Sequence, residues 1–172
     1  MPESGLNGNV FAIAIGPCAC SVARVSERLS RRWAPLILWM MLIFSASTAA
    51  GAPRVSSFFL RPLLLWLDPS MKPHTFAIIH LCVRKTAHLT EYAILGWLAF
   101  RVGHHEPALA RSTLAAQVSA AVIFCAAYAT TDEFHQRYAP ERQASAGDVL
   151  IDTAGAAAAI MATAAQTRRR ST

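Results

Sequence analysis

The chain has 172 residues, enough for one domain; 54% are hydrophobic and only 15% are charged, where a soluble domain carries about 25%. Scarce charge and apolar residues gathered in runs exclude an ordinary soluble globule and point to a membrane protein. The net charge of +6 implies no nucleic-acid partner, because the arginines flank the apolar runs as membrane topology requires.

Residues 1–30 show no periodic apolar pattern and read as a disordered segment. Val10–Gly16 resembles the apolar region of a signal peptide, yet no basic residue precedes it and no convincing cleavage site follows. Cys18 and Cys20 form a C-x-C pair with no partner at metal-ligand spacing. Cys82 and Cys125 lie in apolar surroundings and read as small core residues. No metal and no cofactor is expected.

Arg24, Arg28, Arg31 and Arg32 lead into a first span at about 33–50 (WAPLILWMMLIFSASTAA). Its 18 uncharged residues make a helix of about 27 Å, close to the thickness of a hydrocarbon core. Trp33 and Trp39 suit the membrane interface, and Gly51 and Pro53 end the helix. Val55–Leu67 is apolar but broken by Arg61-Pro62, and reads as an interfacial segment.

The second span, about 76–100, is interrupted by Arg84, Lys85, His88 and Glu91. A single helix through it is about 40 Å long, more than a bilayer needs, so it starts outside the membrane or turns its polar middle inward. Positions i, i+4 and i+8 put Arg84, His88 and Tyr92 on one face. Residues 101–111 read as a polar loop with His104 and His105 solvated. The third span, about 113–131, is uncharged and alanine-rich, which lets helices approach closely. The fourth, about 149–165, carries Asp152 as its one ionisable group, and Gly155 to Ala159 has the small-xxx-small spacing of a tight helix contact. Residues 168–172 are a basic tail. Residues 31–167 therefore read as one all-α, integral-membrane four-helix bundle, with an interfacial segment between its first two helices.

Four spans place both termini on one side. Nine of the 16 Lys and Arg fall on that side, which the positive-inside rule makes cytoplasmic. Whatever the orientation, an even span count brings the start of the second helix, the end of the third and the start of the fourth to the opposite face.

The stretch Thr130–Asp152 (TTDEFHQRYAPERQASAGDVLID) concentrates ionisable groups between two apolar runs. Asp132, Glu133 and Gln136 fall within about one helical turn. Arg142, Ser145 and Asp148 recur at threes. One reading is an ion-pair lattice pinning three helices together. The other is a pocket for a charged head group. Arg84, Lys85 and Arg142 would then hold an anion, and Tyr92, Gln136, Ser145 and Asp148 would line the site. His88, with Asp132 or Glu133, would transfer protons. No Gly-rich phosphate loop and no G-x-S-x-G elbow is present, and Ser145 has no local base.

RKTAHLTEYAILG (84–96) followed by DEFHQRYAPERQASAGDVLIDTAG (132–155) resembles the VanZ-like family of small membrane proteins. The matching positions are Arg84, Lys85, His88, Tyr92, Asp132, Glu133, Gln136, Arg142, Ser145, Asp148 and Gly155. Many relatives carry Asn where this chain has Asp152. The resemblance covers about residues 33–165 and implies a multi-pass protein of the bacterial inner membrane. The family's founding member is associated with resistance to the glycopeptide teicoplanin. The combined expectation is binding or processing of a phosphorylated lipid or lipid-linked cell-envelope precursor at the outer membrane face. The alternatives are a non-enzymatic membrane scaffold and a small transporter with Asp152 as proton carrier.

Overall fold

The computed structural model describes residues 17–47, 53–138 and 145–170, and the side chains of all of these except 17–29, 53 and 54. Among the described residues every element is a helix. α1 spans Pro17–Ser47, α2 Pro53–Leu67, α3 Pro73–His105, α4 Pro107–Ala110, α5 Leu114–Gln136 and α6 Ala146–Arg170. Four of the six begin on a proline, whose fixed φ suits a first helical position and whose missing N–H costs nothing there. α5 begins instead on Thr113, whose hydroxyl accepts the Ala116 N–H at 3.2 Å.

Several elements differ from the sequence expectation; α5 runs on to Gln136, and α6 begins at Ala146 and continues through Arg168–Arg170 of the expected tail. Helix α1 starts at Pro17, well before Trp33, so the part of residues 1–30 that is described is helical; residues 1–16 lie outside the described set. The Ala, Arg, Glu and Leu between Pro17 and Trp33 are good helix formers and carry the helix upstream of its apolar part. Arg61-Pro62 does not break α2, because a proline removes only its own N–H from the ladder and the leucines beyond it resume the helix. The expected polar loop contains the short α4.

α3 is the hub and packs on α6, α5, α1, α4 and α2. Lys85 meets Asp148, and the Leu89 backbone meets Gly155, so α3 and α6 run in the same direction. α1 runs opposite to α3: the Trp39 indole N–H donates to the Glu91 carbonyl at 2.9 Å, and Arg32 reaches the His105 carbonyl. The Tyr128 hydroxyl donates to the Met40 carbonyl at 2.6 Å and fixes α5 alongside α1. Trp39, expected at the membrane interface, is thus half-buried between helices.

The core is built from Leu36, Ile43, Tyr92, Leu95, Phe100, Cys125 and Ile160, with alanines filling the narrower gaps. Cys125 is buried as expected. Cys82 is exposed, because the early turns of α3 run past the bundle. At 33 residues α3 is about 50 Å long, and its buried residues begin only at Tyr92.

α5 and α6 are long and apolar enough to cross a membrane. The uncharged described part of α1 is shorter, and α3 carries Arg84, Lys85 and Glu91 in its middle. Large apolar side chains nevertheless cover the outside: Leu38, Met41 and Phe44 on α1, Phe58, Phe59 and Trp66 on α2, Ile123 on α5 and Met161 on α6. Apolar surface spread over so many helices exceeds what a soluble monomer exposes.

Candidate functional site: a buried polar cluster where three helices meet

The last turn of α5 turns Asp132, Glu133 and Gln136 into the bundle, all three buried. The Gln136 amide donates to Asp132 Oδ2 at 3.0 Å and reaches Ser47 Oγ, at the end of α1, at 3.5 Å. Glu133 Oε1 accepts the backbone N–H of Ser145, tying the end of α5 to the start of α6. Lys85 donates to Asp148 and ties α3 to the first turn of α6. One turn further in, Asp152 is 2% exposed, and His88 Nδ1 stands 3.8 Å from its Oδ1. The fully buried Tyr92 shares this interior, its ring 6.4 Å from that of Tyr128.

Asp132 Oδ1 and Asp152 Oδ1 are buried and accept no hydrogen bond among the described residues. Buried carboxylate oxygens without donors are costly, and a fold that keeps them has them for a purpose or offsets them elsewhere. Acidic groups outnumber basic ones in the deep part of the site. The basic groups Arg84 and Lys85 stand nearer the surface, half-buried.

Two openings flank the cluster. One, of about 210 Å³, lies between α1, α2 and α3 and is lined by Ser47, Ser56, Arg84, Ala87, His88 and Glu91. The other, of about 240 Å³, lies between α5 and α6 and is lined by Thr130, Glu133, Phe134, Arg137, Ser145 and Val149. Ionisable side chains of the cluster are therefore reachable from two sides, Arg84, His88 and Glu91 from one and Glu133 from the other. Among the described residues no group of three His, Cys, Asp or Glu side chains is placed to hold a metal ion.

Of the residues singled out from sequence, Arg84, Lys85, His88, Tyr92, Asp132, Glu133, Gln136, Ser145 and Asp148 lie around this junction. Arg142 lies outside the described residues. Ser145 is exposed and contributes its backbone N–H to Glu133, while its hydroxyl accepts the Gly147 N–H at 3.2 Å. Sequence reasoning missed Ser47, which closes the cluster from α1, although its spacing of four from the buried Ile43 marks an inward face. It also missed Ser56, whose hydroxyl is 2.8 Å from His80 Nε2 and holds α2 against α3. No local signal identifies that pair. His104, expected to be solvated, instead meets Gln117 Oε1 at 2.7 Å.

All-helical among the described residues, with an apolar exterior, two helices long and apolar enough to cross a membrane and a polar junction where α3, α5 and α6 meet, the chain has the features of a membrane protein with an internal polar site. Residues 33–165 match the VanZ/LLP1 family, and the chain belongs to that family. Neither the curated proteins nor the solved structures gave a match.

Proposed function

We propose that α1, α3, α5 and α6 cross the bacterial inner membrane, with both termini in the cytoplasm, and that the polar junction lies at the outer face. There it binds or processes the phosphorylated head group of a lipid or lipid-linked envelope precursor. The observation that carries this reading is one cleft that combines Arg84 at its edge with His88 beside the buried Asp152. Arg84 and Lys85 attract the phosphate; Arg142 would join them from the α5–α6 connection. His88, with Asp132 or Glu133, moves the proton if a bond is made or broken. Glycopeptide resistance would be one consequence of altering such a precursor.

The test is a titration of the purified protein, in nanodiscs of neutral lipid, with a long-chain isoprenyl phosphate. Arg84→Ala and Arg142→Ala should each weaken binding by about tenfold or more, the range of a charge-assisted hydrogen bond. Binding unchanged in both variants rejects the reading.

A second reading is a structural scaffold, favoured by the Lys85–Asp148 and Glu133–Ser145 ties, which join three helices irrespective of any ligand. Glu133→Gln separates the two, because an amide oxygen still accepts the Ser145 N–H. If the cluster is a site, this variant keeps its melting temperature and loses binding. If the cluster is only a brace, the variant keeps its melting temperature and neither it nor the wild type binds the isoprenyl phosphate.

A further inference from the structure

We propose that Ser56 and His80 form a nucleophile–base pair that hydrolyses a carboxylic ester of a membrane phospholipid. The Ser56 hydroxyl, on α2, lies 2.8 Å from His80 Nε2, on α3, within reach of proton transfer. With the imidazole proton on Nδ1, Nε2 accepts the hydroxyl proton and Oγ becomes the nucleophile. The His80 ring stacks on Phe76, with 5.7 Å between centroids and 8° between planes, which holds the imidazole in place for the transfer.

The pair opens onto the cleft of about 210 Å³ between α1, α2 and α3, whose wall includes both Ser56 and Arg84. Arg84 follows His80 by one helical turn, so base and guanidinium share a face of α3. A lipid phosphate on Arg84 places the glycerol ester of the same molecule near Ser56. Ser56 also lies in the first turn of α2, which starts at Pro53. The N–H groups of a first turn lack helical acceptors and stabilise the charge that develops on the ester oxygen. A serine–histidine contact that served only to tie two helices would gain from full burial. Both of these side chains stay half-buried, with Ser56 on the cleft wall.

Depth identifies the substrate. Arg101 lies over the exposed Trp97 ring, 5.5 Å from its centroid, as residues at a membrane interface do. From there back to His80, α3 rises about 32 Å, close to the ~30 Å of a hydrocarbon core. His80 therefore stands at the other boundary between acyl chains and head groups, where the ester linkages of phospholipids lie. This depth rests on the proposed crossing of α3. Phe58 and Phe59, just beyond Ser56, are exposed and offer an acyl chain an apolar surface. In the reaction, Ser56 Oγ gives its proton to His80 and bonds to the ester carbon. The ester C–O bond then breaks, and His80 passes the proton to the departing glycerol oxygen. Water attacks the acyl-serine, giving a proton to His80, which returns one to Oγ as the fatty acid leaves.

The test incubates the purified full-length protein, in detergent, with a fluorophosphonate, which traps an activated serine through an Oγ–P bond as fluoride leaves. Tandem mass spectrometry then locates the adduct, which should fall on Ser56. His80→Gln, whose amide still meets the Ser56 hydroxyl but takes no proton, should slow labelling by about a hundredfold or more. Phosphatidylglycerol in mixed micelles should lose a fatty acid to the wild type and not to Ser56→Ala. Absence of an adduct on Ser56 of the wild type overturns the proposal, and no folding defect can mimic that result in the unaltered protein. Labelling of His80→Gln at the wild-type rate overturns it too. An adduct without release of fatty acid overturns the phospholipid assignment. Labelling in detergent needs neither a bilayer crossed by α3 nor binding of an isoprenyl phosphate, so its failure is distinct from theirs.

Discussion

At the scale of single residues, the approach of His88 to the buried Asp152 is where the proposed site and the stability of the bundle can be tested together. Asp152 is buried, and its Oδ1 has His88 Nδ1 at 3.8 Å and no hydrogen bond among the described residues. Removing one member of a buried charged pair strands the other, at a cost of about 3–5 kcal/mol when both are fully buried. His88 stays 16% exposed, so His88→Ala should cost less, about 2 kcal/mol. Asp152→Asn removes the charge and keeps the volume, and should change stability by less than about 1 kcal/mol. The double variant should then recover most of the His88→Ala loss. Chemical denaturation of the four proteins in one detergent gives this cycle directly, and a coupling energy near zero would show that the two side chains are neighbours without being partners. Both residues were visible in the sequence, because an ionisable group inside an apolar run stands out. Their pairing was harder to see, since it depends on the rotation of α3 about its own axis, which a mixed polar and apolar face leaves open. Ser47 was missed for the opposite reason: a hydroxyl at the end of an apolar span breaks no pattern, and its spacing of four from Ile43 tells only once Ile43 is known to face inward.

Among the elements, α3 and α6 show how small residues set the architecture. A Cβ on Gly96 would lie 2.5 Å from the Ala156 carbonyl oxygen, and one on Gly155 would lie 2.5 Å from the Leu89 carbonyl oxygen. Both obstacles are backbone, so neither can swing aside and the helices themselves must part. Gly96→Ala and Gly155→Ala should each destabilise by about 1–3 kcal/mol despite the better helix propensity of alanine. Gly103, on the same helix, is the control: a Cβ there meets only the Leu109 Cδ1 at 3.4 Å, at the end of a flexible side chain. Gly103→Ala should therefore stabilise by about 0.5–1 kcal/mol. Thermal melts of the three variants should show opposite signs, and a uniform loss would deny that close packing is the cause. The small-xxx-small spacing at Gly155 announced this contact, while Gly96, without a small partner at that spacing, did not. The long helices were legible from their apolar runs. The true start of α1 was not, because Arg24–Arg32 is helical without being apolar, and composition reports burial in lipid more readily than it reports helix.

For the whole molecule, the arrangement of charge at the two ends sets the orientation. α1 and α5 run one way and α3 and α6 the other, so Arg31, Arg32, Arg101, Arg111 and Arg168–Arg170 collect at one end, and Lys85, Asp132, Glu133 and Asp148 at the other. Among the described residues the first end carries few acids, Glu27 on α1 and Glu106 on the α3–α4 turn. Positive charge resists translocation, so in the proposed orientation that end stays in the cytoplasm and the turn between α2 and α3 lies outside. Ser70 there is exposed and hydrogen-bonds only locally, to Asp68 Oδ1 at 2.6 Å, so it tolerates replacement. In a background with the native cysteines changed to serine, Ser70→Cys should react with a membrane-impermeant maleimide in intact spheroplasts, and Arg111→Cys should react only after lysis. The reverse pattern would invert the protein in the membrane and put the polar junction on the cytoplasmic side, away from any envelope precursor already flipped outward. Labelling of both positions in intact cells would mean that α3 does not cross, and the proposed even span count would fail with it.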